Sequence, residues 1–190
     1  MHPQIFKPTL LLSLFLLCIS CTSTNSSATN INKKLFYRPT GVDRLKVTFK
    51  PLKSSYAVNE KVTFSIRGNR DFYLYLFNLS QHPQPAVLIL PNALQTAQQI
   101  KYSADHTWIV PNPELEFYAD RPGHERIVMI ASSEPLDWGD LQLRKSKHFW
   151  LSNHSAVIHW TSSLIISANK TANHQLVIEE LNLAMVGVTL

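Results

Sequence analysis

The segment Phe72-Tyr73-Leu74-Tyr75-Leu76-Phe77-Asn78-Leu79 constrains the fold more than any other stretch of the chain. Side chains alternate between the two faces of a strand, and here both faces are apolar. A strand of this kind has to be covered on each side, as the middle of a sheet is. Around it the pattern is one of half-buried strands. Residues 61–67 alternate strictly, with Val62, Phe64 and Ile66 on one face. Residues 45–49, 86–90, 107–110, 114–118, 125–132 and 175–183 have the same strand-like composition and are separated by Pro, Asn and Gly punctuation. Short strands at this spacing predict a mainly β, single β-sandwich-like domain over residues 45–190. Residues 155–166 admit two readings. Val157, Trp160, Leu164 and Ile165 would share one face of a C-terminal helix capped by Ser155; the β-branched residues there would also suit a strand.

The two cysteines, Cys18 and Cys21, both lie near the N-terminus. Lys7, the apolar run 10–17 and the small Ser20 before Cys21 have the layout of a secretory signal. The apolar run is too short to span a bilayer, which takes roughly 20 residues. With cysteine after the cut, the segment resembles a bacterial lipoprotein signal over residues 1–20, although Cys18 stands where leucine is usual. That resemblance implies lipid on Cys21, a new N-terminus there, and a membrane as the first partner. Thr22 in place of aspartate implies the outer membrane by the enteric sorting pattern, with the domain facing the periplasm. Removing the signal leaves 170 residues, enough for one packed domain. With no cysteine beyond Cys21, an exported chain of this kind must hold together by packing alone.

The formal charge of +5 is unevenly placed. Lys33, Lys34, Arg38, Arg44, Lys46, Lys50 and Lys53 cluster against one acid, Asp43, whereas beyond Lys53 ten basic residues face twelve acidic ones. The body of the domain is therefore close to neutral, and nucleic acid is not an expected partner. Residues 21–44 read as the lipidated cysteine and a basic tether. The polar stretch 22–32 reaches on the order of 15–20 Å as a random coil. Basic residues near anionic headgroups add about 1 kcal/mol each; they would equally serve as solubilising charge on a linker.

Residues 59–67, then Asn69-Arg70-Asp71-Phe72-Tyr73-Leu74-Tyr75-Leu76-Phe77, Leu90-Pro91-Asn92 and Pro122-Gly123-His124-Glu125-Arg126-Ile127, resemble the bacterial domain-of-unknown-function family numbered 4384. That family pairs an S-N-R-D-G-Y-L-Y-L stretch with F-P-N and a later G-x-E. The resemblance covers about 47–135. Phe72 replaces the usual glycine and Leu90 the usual phenylalanine. It implies a small β-rich domain, often in exported lipoproteins, and carries over no catalytic residue.

No catalytic constellation is legible. There is no nucleophile elbow, no Gly-rich phosphate loop and no His-x-x-x-His or His-Glu-x-x-His pair. His148, His154 and His159 are spaced by six and five, so no metal or other cofactor is expected. Asp120, His124 and Glu125 gather near one turn and would be the residues of a hydrolase, a distant third reading. Arg67 and Arg70 are the candidate ligand site, two guanidiniums able to grip an anion. Pairing with nearby acids (Arg70 with Asp71, Arg67 with Glu125) is the competing structural role. Tyr73, Tyr75 and Phe77 form either a stacking platform or a core stripe. The expectation is a non-enzymatic envelope lipoprotein that binds a protein partner, with an exposed sheet edge as one route of recognition. It would serve as a scaffold or as an accessory of a secretion or envelope-assembly system. The alternative is a glycan, peptidoglycan or small-anion binding module.

Overall fold

The computed structural model describes residues 34–41, 43–79, 85–112, 115–118, 120–171 and 175–187. Cys21 and the signal lie outside the described residues. Among them, eleven strands and one α-helix follow in chain order: β1 (Val47–Pro51), β2 (Ser55–Ala57), β3 (Phe64–Gly68), β4 (Phe72–Asn78), β5 (Ala86–Leu90), β6 (Lys101–Tyr102), β7 (Trp108–Val110), β8 (Gly123–Ser132), β9 (Arg144–Ser146), β10 (Phe149–Ser152), α1 (His154–Lys170) and β11 (Leu176–Val186). They build two sheets. A small one runs β1-β3-β7; the large one runs β2-β11-β8-β4-β5-β10-β9, with β6 beside the start of β4.

The large sheet is the middle layer of three, which is what the two-faced apolar pattern of β4 requires. Phe72, Leu74 and Leu76 pack with Phe49, Phe64, Ile66 and Val110 of the small sheet. Tyr75 and Phe77 point the other way, into a second core under α1 with Val157, Ile158 and Trp160. β8 repeats the division, with Ile127, Met129 and Ala131 on the first side and Val128 and Ile130 on the second. Fully burying side chains of this size contributes roughly 1.5–3 kcal/mol each. β4 lies between β8 and β5, and its register with β5 shifts between Leu76 and Phe77.

Residues 155–166 are helical. Asn153, not Ser155, caps the helix, its Oδ1 accepting from Ala156 N at 2.6 Å. Val157 and Trp160 bury as expected, while Leu164 and Ile165 are partly covered. Residues 115–118, the described part of 114–118, form no strand, although their composition suggests one. The described part makes only an isolated bridge, Lys61 to Tyr118, beside the bond from Val62 N to Phe117 O. The pairs β9 and β10, which the pattern did not reveal, extend the large sheet beyond β5. No helix among the described residues is long and apolar enough to cross a membrane.

Part of the stretch read as a tether lies on the domain. Leu35 is buried in the helix-side core, and Tyr37 pairs with Ile178 of β11 in both hydrogen-bond directions. Leu35 N also donates to Glu180 Oε2 at 2.8 Å, and the same oxygen accepts from Arg126 Nη2 at 2.8 Å. Arg38 pairs with Glu179, and Lys53 with Glu60. Several cations of the basic stretch are thus already engaged with the domain.

Candidate functional site

The corner between β3 and β4 carries the residues singled out from the sequence. Asn69 closes it: its Oδ1 accepts from Lys46 N at 2.7 Å, its Nδ2 donates to Arg44 O at 3.0 Å, and its own N–H reaches Lys46 O. Asp71 accepts from Ala104 N at 2.9 Å and faces Lys101 at 3.5 Å. The backbone N–H, then the ammonium, hold its carboxyl below the usual carboxylate range. Arg67 meets Asp105 at 3.5 Å, and Arg70 meets Asp43 at 3.8 Å. Each guanidinium therefore faces its own carboxylate, neither of them the acid expected from the sequence. All four groups are well exposed, so these pairs are worth little in stability. Gly68 is needed where β3 turns, because a Cβ there would lie 2.7 Å from the Phe72 ring.

The aromatic stripe is core, not platform. Phe77 meets Trp160 edge-on at 5.8 Å, Tyr75 meets Trp138 likewise at 5.8 Å, and the Tyr75 hydroxyl accepts from Leu136 N. The acidic turn does not converge either. Asp120 pairs with Arg121. His124 and Glu125 are consecutive on β8, opposite Ala184 and Leu183, so their side chains leave the sheet on opposite faces. Glu125 is buried, with Oε2 lacking a hydrogen-bond partner among the described residues. His148 lies in the turn between β9 and β10, His154 opens α1 and His159 is exposed on that helix. No group of three or more His, Cys, Asp or Glu among the described residues could hold a metal ion.

Two further features stand together, an outer sheet edge and a cleft beside it. The first is the free edge of β7. Each sheet ends in two edge strands: β1 and β7, and β2 and β9. Natural edges are usually blunted by charge or proline. β1 carries Lys50 and ends in Pro51, β9 is Arg-Lys-Ser, and β2 lies between Lys53 and Glu60. β7 is Trp-Ile-Val, with Ile109 47% exposed, and no strand among the described residues pairs with its outer side.

The second is a cleft of about 540 Å³ at the end of β7. Its walls are the exits of two strands and the turn between β9 and β10. After β5 comes Pro91-Asn92, and after β7 comes Pro111-Asn112; both prolines follow cis peptides. Each asparagine then folds the chain back through its side chain, Asn92 Oδ1 onto Leu94 N and Asn112 Oδ1 onto Leu115 N. Ala93 N donates to His148 O, tying the first exit to the hairpin. Leu115 and Phe149 supply apolar lining, and Tyr118 stands on the rim, where its hydrogen bond to Glu116 raises the phenol above its ordinary value. The repeated strand-Pro-Asn pattern was the visible signal for this cleft; it reads equally well as punctuation.

The family described as a domain of unknown function (DUF4384) matches residues 55–135, which overlap most of the stretch that carries the resemblance. They run from β2 to just past β8 and include the corner, the free edge and the Pro-Asn turns, but neither α1 nor β11. No curated protein and no solved structure matches the chain.

Proposed function

We propose that this chain is a lipid-anchored envelope protein, held on the outer membrane through Cys21 and facing the periplasm. It acts without catalysis as a protein-binding or scaffold module of a secretion or envelope-assembly system. The observation that supports this is the outer edge of β7, with which no strand among the described residues pairs. An extended segment of an envelope protein adds there as a fourth strand of the small sheet, taking up backbone hydrogen bonds that water otherwise satisfies. Ile109 gives the added strand an apolar neighbour. Three residues of edge provide only a few bonds, each worth about 0.5–1.5 kcal/mol net, so the contact is weak alone and suits a tethered protein at high local concentration.

The test is a photo-crosslinking residue at position 109 in cells, read against Ile109→Lys carrying the same probe at Thr107. A single envelope protein captured from position 109, and lost in the lysine variant, is the expected result. Capture of only abundant bystanders, or equal capture by the variant, overturns the edge reading. The anchor is tested separately: Cys21→Ala leaves the membrane fraction while folding normally, and its retention there would refute the lipid.

A further inference from the structure

Four carboxamides line the cleft, and all four use their oxygens on nearby backbone. Asn92 Oδ1 accepts from Leu94 N at 2.8 Å, Gln95 Oε1 from Asn92 N at 2.9 Å, Gln99 Oε1 from Thr96 N at 2.7 Å and Asn112 Oδ1 from Leu115 N at 3.1 Å. These bonds fix which end of each amide is which. The oxygen is held by the chain, and the nitrogen, with two N–H donors, is left over. Among the described residues none of the four nitrogens donates to a protein acceptor. The cleft is therefore rich in uncharged donors.

Its charge decides between ligands. No Lys or Arg lines it among the described residues; its titratable lining is one carboxylate, Glu116, beside Tyr118, and the His148 imidazole. An anion would meet donors but also Glu116, with no Lys or Arg and only the His148 imidazole to offset it. A peptide backbone presents as many N–H groups as carbonyls, and its N–H groups would face other donors. A sugar hydroxyl escapes both problems, since it accepts from an amide and turns its own proton to Glu116 or water. The exposed ring of Tyr118 and the half-buried ring of Phe149 offer apolar faces on which a sugar ring packs. The volume of about 540 Å³ falls within the roughly 300–1,000 Å³ usual for small-ligand sites.

We infer that this cleft is a binding site for an uncharged, hydroxyl-rich oligosaccharide, gripped by the amide nitrogens of Asn92, Gln95, Gln99 and Asn112. It is a second site, separate from the strand edge, so the chain has the parts to hold a glycan and a protein together.

The experiment is titration of the lipid-free chain (Cys21→Ala, lacking residues 1–20) with chitotetraose and cellotetraose. Acetate, inorganic phosphate and an extended uncharged peptide are run alongside. Binding is followed by calorimetry and by the NMR signals of side-chain amides. At least one oligosaccharide is expected to bind in the micromolar-to-millimolar range, moving the amide signals of Gln99 and Asn112. Gln99→Glu and Asn112→Asp each retain an oxygen for the backbone bond and replace the two N–H donors with a charged acceptor. Each is expected to weaken binding about three- to tenfold with an unchanged melting temperature. Absence of oligosaccharide binding overturns the inference, as does unchanged affinity in both folded variants, or a preference for phosphate, acetate or peptide. Should a variant fail to fold, the amide shifts of the unsubstituted chain decide alone. Loss of the crosslinked partner at position 109 with oligosaccharide binding intact would refute the edge reading and leave this one standing.

Discussion

Replacing Glu180 with leucine should unfasten the N-terminal segment from the sheet. Glu180 Oε2 holds two donors at once, Arg126 Nη2 and Leu35 N, each at 2.8 Å. The Glu180 side chain is 6% exposed and that of Arg126 17%. Removing one partner of a buried ion pair costs about 3–5 kcal/mol, because the other charge stays desolvated and loses that counter-ion. The residual exposure of Arg126 lets water relieve part of that, and the orphaned Leu35 N–H adds some back. The net expectation is about 3 kcal/mol, or roughly 6–12 °C in melting temperature for a domain of this size. Urea unfolding of the lipid-free chain, followed by tryptophan fluorescence, measures it. Hydrogen exchange at Leu35 should accelerate well before global unfolding. The decisive control is Arg126→Met with Glu180→Leu. Removing both charges should recover most of the loss, since apolar replacements of buried pairs are often neutral. A single variant losing under about 1 kcal/mol, or a double variant no better than the single, would refute the reasoning.

Gly68→Ala should cost about 1–3 kcal/mol by overpacking, because the new Cβ would lie 2.7 Å from the fully buried Phe72 ring; an unchanged urea midpoint would show that the ring can move. Burial pushes the Tyr102 phenol up to about 12, so well below its ordinary value of 10, under about pH 9, it is neutral in both folded and unfolded chains and contributes no pH dependence. Between about pH 10 and 12 the unfolded chain releases this proton while the folded chain keeps it. Stability should therefore fall across that window by as much as 2–3 kcal/mol in order of magnitude. Tyr102→Phe should lose this part of the decline, and identical pH profiles for the two proteins would count against it.

Much of the architecture was legible because it rests on alternation. β4 announced a layer on each side, and the small sheet and α1 supply those layers. Residues 155–166 were ambiguous because β-branched residues suit strands, while the spacing of Val157 and Trp160 suits a helix. The core under Trp160 resolved it. Residues 114–118 had strand composition but no long partner to pair with. β9 and β10 escaped notice because Arg144, Lys145 and Ser146 are exposed and carry no alternation. Leu35 looked like part of a linker because its neighbours are charged, and its burial follows from contacts with the helix-side core, Ile178 and Glu180, all distant in sequence.

What the sequence by itself determined is the set of local preferences: apolar faces, turn residues, a chain without cysteines past Cys21, and a basic stretch ahead of a neutral body. Those depend on each residue's own chemistry and its spacing from near neighbours. Only the tertiary structure decided which acid each arginine meets, which edge is left unguarded, and that two Pro-Asn turns about twenty residues apart wall one cleft. Such choices depend on contacts between distant segments, which strand order and register set and which local pattern does not encode.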